Sequence, residues 1–159
     1  MSMWPFRRKT VDVGMAHADR TRPRKDPWAE PTLRGFQGIT AIRRACLETI
    51  LESSRASHPK EFGGFLRVRD GVIEEVLLLP GTISGDSHAI FYMHMLPIDA
   101  SIKGTVHSHP SPYPYPSDAD LDLFGRHGRL HLIVARPYTE KNWRAYTFYG
   151  EPVRIDVID

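Results

Sequence analysis

Apolar positions over residues 40–54 recur at helical spacing, with Ile42, Cys46, Leu47, Ile50 and Leu51 on one face. A helix is expected from Thr40, as N-cap, to about Ser54, with that face in the core. From Glu61 the period shortens. Residues 61–69 and 72–79 read as strands, and Asp70-Gly71 between them is a two-residue hairpin turn. The second strand ends at Pro80-Gly81. Residues 88–95 read as a third strand, 97–100 as a short helical turn, and 102–108 as a short buried strand. The loop 110–116 holds Pro110, Pro112, Pro114 and Pro116, too many for a helix or a ladder, so its path is stiff. Ser117 then suits the N-cap of a helix running through Leu121 and Phe124 to Gly125 or Gly128. Leu130 to Ala135 and Trp143 to Tyr149 read as strands, and Val153 to Val157 as an edge strand. Strands placed both in hairpins and around helices predict an α/β (α+β) fold: a mixed, mostly antiparallel sheet flanked by helices. Residues 1–37 lack sustained periodicity and form an extension closed by the turn-rich Gly35-Phe36-Gln37-Gly38. There is no internal repeat.

The 159 residues suit one domain with a full core over residues 38–159. No stretch approaches the roughly 18 apolar residues of a membrane span, so no membrane partner is expected. The first residues carry charges without an apolar run behind them, so no secretory signal is expected. The single cysteine, Cys46, excludes an internal disulfide and zinc sites built on cysteine pairs, and a cytoplasmic setting is expected. On its helix face Cys46 reads as a small buried apolar residue, since no nearby base is supplied to activate it. Net charge is +2 but uneven. Residues 1–35 carry Arg7, Arg8, Lys9, Arg20, Arg22, Arg24, Lys25 and Arg34 against Asp12, Asp19, Asp26 and Glu30. That segment is a solvated tail or an arm for an acidic partner. With no helix-turn-helix pattern and no Cys/His finger, nucleic acid is not the expected partner. Trp4, Phe6 and Trp28 are candidates to pin the tail to the domain.

The chemistry concentrates in His107-Ser108-His109-Pro110, followed by Ser117 and Asp120. Two histidines at i and i+2 on a strand end point to one side, because strand side chains alternate. With an acidic residue on the next element they make an N, N, O ligand set. That set suits a zinc ion with its fourth position open to water, the arrangement of a hydrolytic metalloenzyme. Ser117 and Asp120 also fit a capping box, and Asp118 and Asp122 would favour the same helix N-terminus. A general base is needed as well. The residues alone do not choose among Glu52, Glu61, Glu74 and Glu75, although the Gly63-Gly64 pair after Glu61 suggests close approach by a ligand or another backbone.

The order Glu61 … His107-x-His109-Pro110-x6-Ser117-x2-Asp120 resembles the JAMM metalloprotease family, also called the MPN-plus domain. The resemblance covers roughly residues 38–157 and includes Pro59-Lys60-Glu61-Phe62-Gly63-Gly64 as the family's first strand. It implies a JAMM/MPN fold, related to that of cytidine deaminases. It implies that His107, His109 and Asp120 ligate one zinc ion per chain, with Asp120 preferred to Asp118 by spacing. It implies Glu61 as general base and Ser117 as donor to the oxyanion. The remaining histidines read as structural or exposed. Ser84 is a candidate polar neighbour of the site, and Tyr113 and Tyr115 either pack the loop or line the substrate groove. A hydrogen-bond partner for each ligating imidazole is expected but not nameable.

The family divides into enzymes that cut isopeptide or peptide bonds after the C-terminal Gly-Gly of ubiquitin or its relatives and members that have lost the metal; this chain keeps all the ligand positions, which implies the first group. The short stretch before His107 resembles compact prokaryotic or archaeal members, which implies a ubiquitin-like or sulfur-carrier protein as substrate. The substrate tail would add as a strand along the groove. Three other readings stand beside it. A zinc deaminase is excluded because its paired-cysteine signature is absent. A peptidase for small or cell-wall peptides and a non-enzymatic interaction module of the MPN type are the other two. A DNA-repair-associated branch fits less well, given Ser108 and the Pro-Tyr-Pro-Tyr-Pro loop. Oligomeric state is left open, with a homodimer among the options.

Overall fold

The computed structural model describes residues 29–78, 84–85, 88–89 and 98–159. The expected docking of Trp4, Phe6 and Trp28 and the strand expected beyond residue 89 lie outside the described residues.

A nine-stranded mixed sheet forms the body of the protein. In chain order its strands are β1 (Leu33–Arg34), β2 (Ala41–Arg43), β3 (Gly63–Arg69), β4 (Val72–Leu78), β7 (Ile102–His109), β8 (Leu130–Ala135), β9 (Trp143–Thr147), β10 (Pro152–Arg154) and β11 (Asp156–Ile158). In space they run β1-β10-β9-β8-β7-β3-β4-β2-β11. β5 (Ser84–Gly85) and β6 (His88–Ala89) pair separately as a small hairpin. The helices are α1 (Arg44–Ser57) and α2 (Asp118–Arg126).

The β3–β4 hairpin turns at Asp70 (φ 49°) and Gly71 (φ 78°), the left-handed pair that a two-residue primed turn requires. A side chain at Gly64 would bring its Cβ within 2.8 Å of Val76 Cγ2 and 3.0 Å of the Leu77 carbonyl. Gly64 therefore serves the close approach of β4.

Three expectations need correction. Thr40 does not cap α1: its amide donates to the Gly71 carbonyl (2.9 Å) and its carbonyl accepts from the Asp156 amide (2.9 Å). Residues 41–43 are instead a strand between β4 and β11, and the helix begins at Arg44 without a side-chain cap. Two parallel ladders satisfy more backbone groups than one cap can. The helix stops before Pro59, which cannot continue it. Residues 153–157 are not one edge strand. β10 pairs with β9 and β1, whereas β11 pairs with β2 at the other end of the sheet. Only Ile155 separates them, so the sheet curls until its two ends stand side by side. Finally, Leu33–Arg34, inside the segment read as an extension, pairs in parallel with β10.

Alternation along the strands divides the side chains between two faces. Leu66, Val68, Val106, Leu132, Val134 and Ala145 share one cluster with Cys46, Leu47, Ile50 and Leu51 of α1. Ile133 and Tyr146 pack on the other face against Phe124 of α2. β8 is buried throughout, as a central strand covered on both faces must be. Burial raises the Cys46 thiol to about 12, with Glu75 adding to it, so the residue is an inert part of the core.

Candidate metal centre

β7 carries His107 and His109 at its C-terminal end, both on the α2 face, with Ser108 between them on the α1 face. α2 starts at the rim of the same strand end. Ser117 caps it: its Oγ accepts from the Asp120 amide (3.2 Å), and Asp120 Oδ2 accepts from the Ser117 amide (2.7 Å). This reciprocal capping box fixes the Asp120 carboxylate over the imidazoles. His107 Nε2 lies 3.1 Å from Asp120 Oδ1, His109 Nε2 lies 3.3 Å from Asp120 Oδ2, and the two Nε2 atoms are 3.1 Å apart. A tetrahedral zinc site with bonds of about 2.0–2.1 Å has ligand–ligand edges of about 3.3–3.4 Å. Three converging donors of the right chemistry at that spacing suit one zinc ion.

The electrostatics agree. Burial opposes charge on Asp120, yet hydrogen bonds to His107 and His109 and the Ser117 amide hold it well below the usual carboxylate range. Burial likewise opposes charge on His109, but the Asp120 hydrogen bond, the Tyr113 carbonyl and the charges of Asp120 and Glu61 raise it.

Glu61 lies across from the ligands. Gly63 pairs with His107 in the antiparallel β3–β7 ladder, which places residue 61 level with His109 and on the ligand face. The Ser108 amide donates to the Phe62 carbonyl (2.8 Å), and the Phe62 amide donates to Ser108 Oγ (2.8 Å). The residue between the two histidines thus grips the residue beside Glu61. Tyr138 adds a second tether, its hydroxyl donating to the His109 carbonyl (3.2 Å) and lying 3.0 Å from His58 Nδ1. Sequence reasoning missed both Ser108 and Tyr138. Ser108 is detectable from the strand period, whereas Tyr138 arrives from a distant loop.

Each ligating imidazole needs a partner on its other nitrogen. For His109 it is the Tyr113 carbonyl, 3.0 Å from Nδ1. The proline loop is held in place by the Tyr146 hydroxyl, which donates to the Pro114 carbonyl (2.7 Å). Tyr115 lies under the Arg144 guanidinium, 5.2 Å from its ring centroid, while Tyr113 is 55 % exposed beside the site. Ser117 Oγ also donates to Asp120 Oδ2 (2.8 Å), so its proton points at the carboxylate. Ser84 lies in β5, and Asp118 is exposed and outside the triad. Among the described residues, no helix is long and apolar enough to cross a membrane.

Residues 43–149 match the model of the prokaryotic homologues of the JAB domain. A probable metalloprotease of Haloferax volcanii is 39 % identical over 131 residues, 76 % of this chain and 81 % of the relative. A JAB1/MPN domain protein from Archaeoglobus fulgidus superposes with a TM-score of 0.63 at 40 % identity, over 76 % of this chain and all of that one. A second structure, described as JAMM, a metalloprotease-like zinc site in the proteasome and signalosome, superposes with a TM-score of 0.61 at 37 % identity, over 76 % of this chain and 99 % of that one.

Proposed function

This chain belongs to the prokaryotic JAB-domain family of JAMM/MPN zinc metallopeptidases, and from that premise we propose its substrate and the roles of its residues. It hydrolyses the peptide or isopeptide bond after the C-terminal Gly-Gly of a ubiquitin-like or sulfur-carrier protein, in the cytoplasm. Residues 38–159, with Leu33–Arg34 as an added edge strand, carry the activity, and the basic segment before them is an appendage to it. The observation that carries the reading is the His107, His109, Asp120 triad with edges of 3.1–3.3 Å, with Glu61 two residues before the adjoining strand β3, whose first residue pairs with His107.

His107, His109 and Asp120 hold the metal. A bound zinc ion supplies an acidified water, with a pKa of about 7, and a Lewis acid for the scissile carbonyl. Glu61 takes one proton from the attacking water and passes it to the leaving nitrogen as the C–N bond breaks. Ser117 steadies the oxygen of the attacked carbonyl. For that its hydroxyl turns away from Asp120 Oδ2, which keeps its bond to the Ser117 amide (2.7 Å). An extended tail passes beside the exposed Tyr113, and glycines next to the scissile bond are narrow enough to lie across the strand end. The modifier assignment is supported by family membership and by the exposed Tyr113 beside the site.

Glu61→Gln tests the roles. It removes the base and no ligand, so about one zinc per chain is retained while cleavage of a ubiquitin-like fusion is lost. A variant that loses zinc, or that cleaves like the parent, would sink the assignment.

A further inference from the structure

Among the described residues, two buried side-chain nitrogens lack a hydrogen-bond partner, His107 Nδ1 and His131 Nε2. They belong together in space. In the parallel β7–β8 ladder Thr105 is opposite His131 and His107 is opposite Ile133. His131 and His107 are therefore diagonal neighbours, and both lie on the α2 face, about 7–8 Å apart at the backbone. At that backbone spacing one water can meet both rings through two hydrogen bonds of about 2.8–3.0 Å.

The surroundings are built for this. The Phe124 ring stacks on His131, with centroids 4.1 Å apart and planes 8° from parallel, and lies 6.4 Å from the His107 ring, sealing the space. The carbonyl of Phe124, in the last turn of α2, also acts on the His131 ring. Thr105 Oγ1 sits 2.7 Å from His131 Nδ1 and fixes the ring's orientation. A buried water is retained where two to four polar groups converge, and the two ring nitrogens supply such a pair. His107 also has little alternative. β7 is flanked by β3 and β8, so the neighbouring backbone carbonyls are spent in ladders, unlike the loop carbonyl that serves His109.

We propose that His131 is a positioning residue for the metal centre: it holds one buried water that accepts the Nδ1–H of His107, so that Nε2 faces the ion. This rests on the reading of His107 as a ligand, and the function proposed above makes no use of His131. The mechanism needs no covalent step. Losing the partner leaves the His107 N–H unpaired once the metal binds, and removal of such partners weakens metal affinity about 10–100-fold.

The test is zinc affinity, measured by competition with a chromophoric chelator, alongside the melting temperature of the metal-free chain. His131→Leu, similar in volume, is expected to bind zinc about 10–100-fold more weakly while the metal-free protein melts no lower than the parent. His131→Gln, which can still meet the water, is expected to recover most of the affinity. Thr105→Val, which keeps the shape and frees the ring to turn, serves if His131→Leu fails to fold, and is expected to lie between them. In a zinc-loaded crystal the water should lie within about 3.2 Å of both nitrogens. Variants that bind zinc within twofold of a zinc-binding parent would overturn the inference alone, as would His107 Nδ1 bonded to another group. A parent that binds no zinc would overturn the ligand reading and this inference with it.

Discussion

Ser108→Ala separates the two jobs done at the end of β7. Ser108 and Phe62 are both buried, and the Phe62 amide donates only across the strand gap to Ser108 Oγ, at 2.8 Å. Alanine keeps the Ser108 amide bond to the Phe62 carbonyl but strips the acceptor, leaving a buried N–H unpaired. Such a loss costs about 1–3 kcal/mol. For a chain of this length each kcal/mol lowers the melting temperature by about 2–4 °C, so a drop of about 2–12 °C is expected. Zinc stoichiometry should not change, because Ser108 faces α1 and the ligands face α2. Turnover should fall about 10–100-fold with little change in KM, since Glu61 loses its tether and misplacement by an ångström carries that cost. The assays are calorimetry, elemental analysis and kinetics on a ubiquitin-like fusion. A melting point within about 1 °C of the parent, or zinc lost in step with stability, would refute the separation of faces.

His109→Ala should lose zinc yet keep its sheet, because His109 closes a site at the strand end and not the core; circular dichroism with metal analysis checks this, and a zinc-replete variant counts against the ligand set. Gly64→Ala should destabilise by about 1–3 kcal/mol, since its Cβ would meet the Leu77 carbonyl at 3.0 Å and backbone cannot yield as a side-chain tip can; denaturant unfolding reads it. In the metal-free chain His109 is raised from 6.5, so its contribution to stability is full below 6.5 and is lost as pH rises through the raised value. Asp120 is lowered from 3.8, so its contribution is present above 3.8 and is lost as pH falls through the lowered value. Zinc requires His109 without its proton, so the rise in melting temperature on adding zinc should grow from pH 6 to pH 8; a gain that is flat or shrinks over that range contradicts this. Ser117→Ala should cost about 1 kcal/mol through the lost cap on the Asp120 amide, read by thermal melting, and should slow turnover more than it weakens zinc binding.

Local rules carried much of this protein. The Asp70-Gly71 turn, the strand ending in His107 and His109, and the Ser117–Asp120 capping box depend on residues a few positions apart, where backbone preference and side-chain period decide the outcome. The convergence of His107, His109 and Asp120 was legible for that reason: a strand end and a helix start, joined by a proline-stiffened loop, bring their own side chains together. Singling out Glu61 from Glu52, Glu74 and Glu75 was not a local matter and came through resemblance to a family; what the tertiary structure adds is a β3–β7 register that brings the start of β3 to His107, more than forty positions away. The same holds where the pattern misled. Residues 41–43 have a helical face by spacing but lie in a strand because β4 and β11 offer two ladders there. Residues 153–157 look like one strand but divide at Ile155 because the sheet curls back on itself. His131 carries no signal of its own beyond a polar side chain in an apolar run. Only the tertiary structure sets it diagonally from His107 and beneath Phe124, because contacts between strands are chosen by the packing of the whole sheet and not by neighbours in the chain.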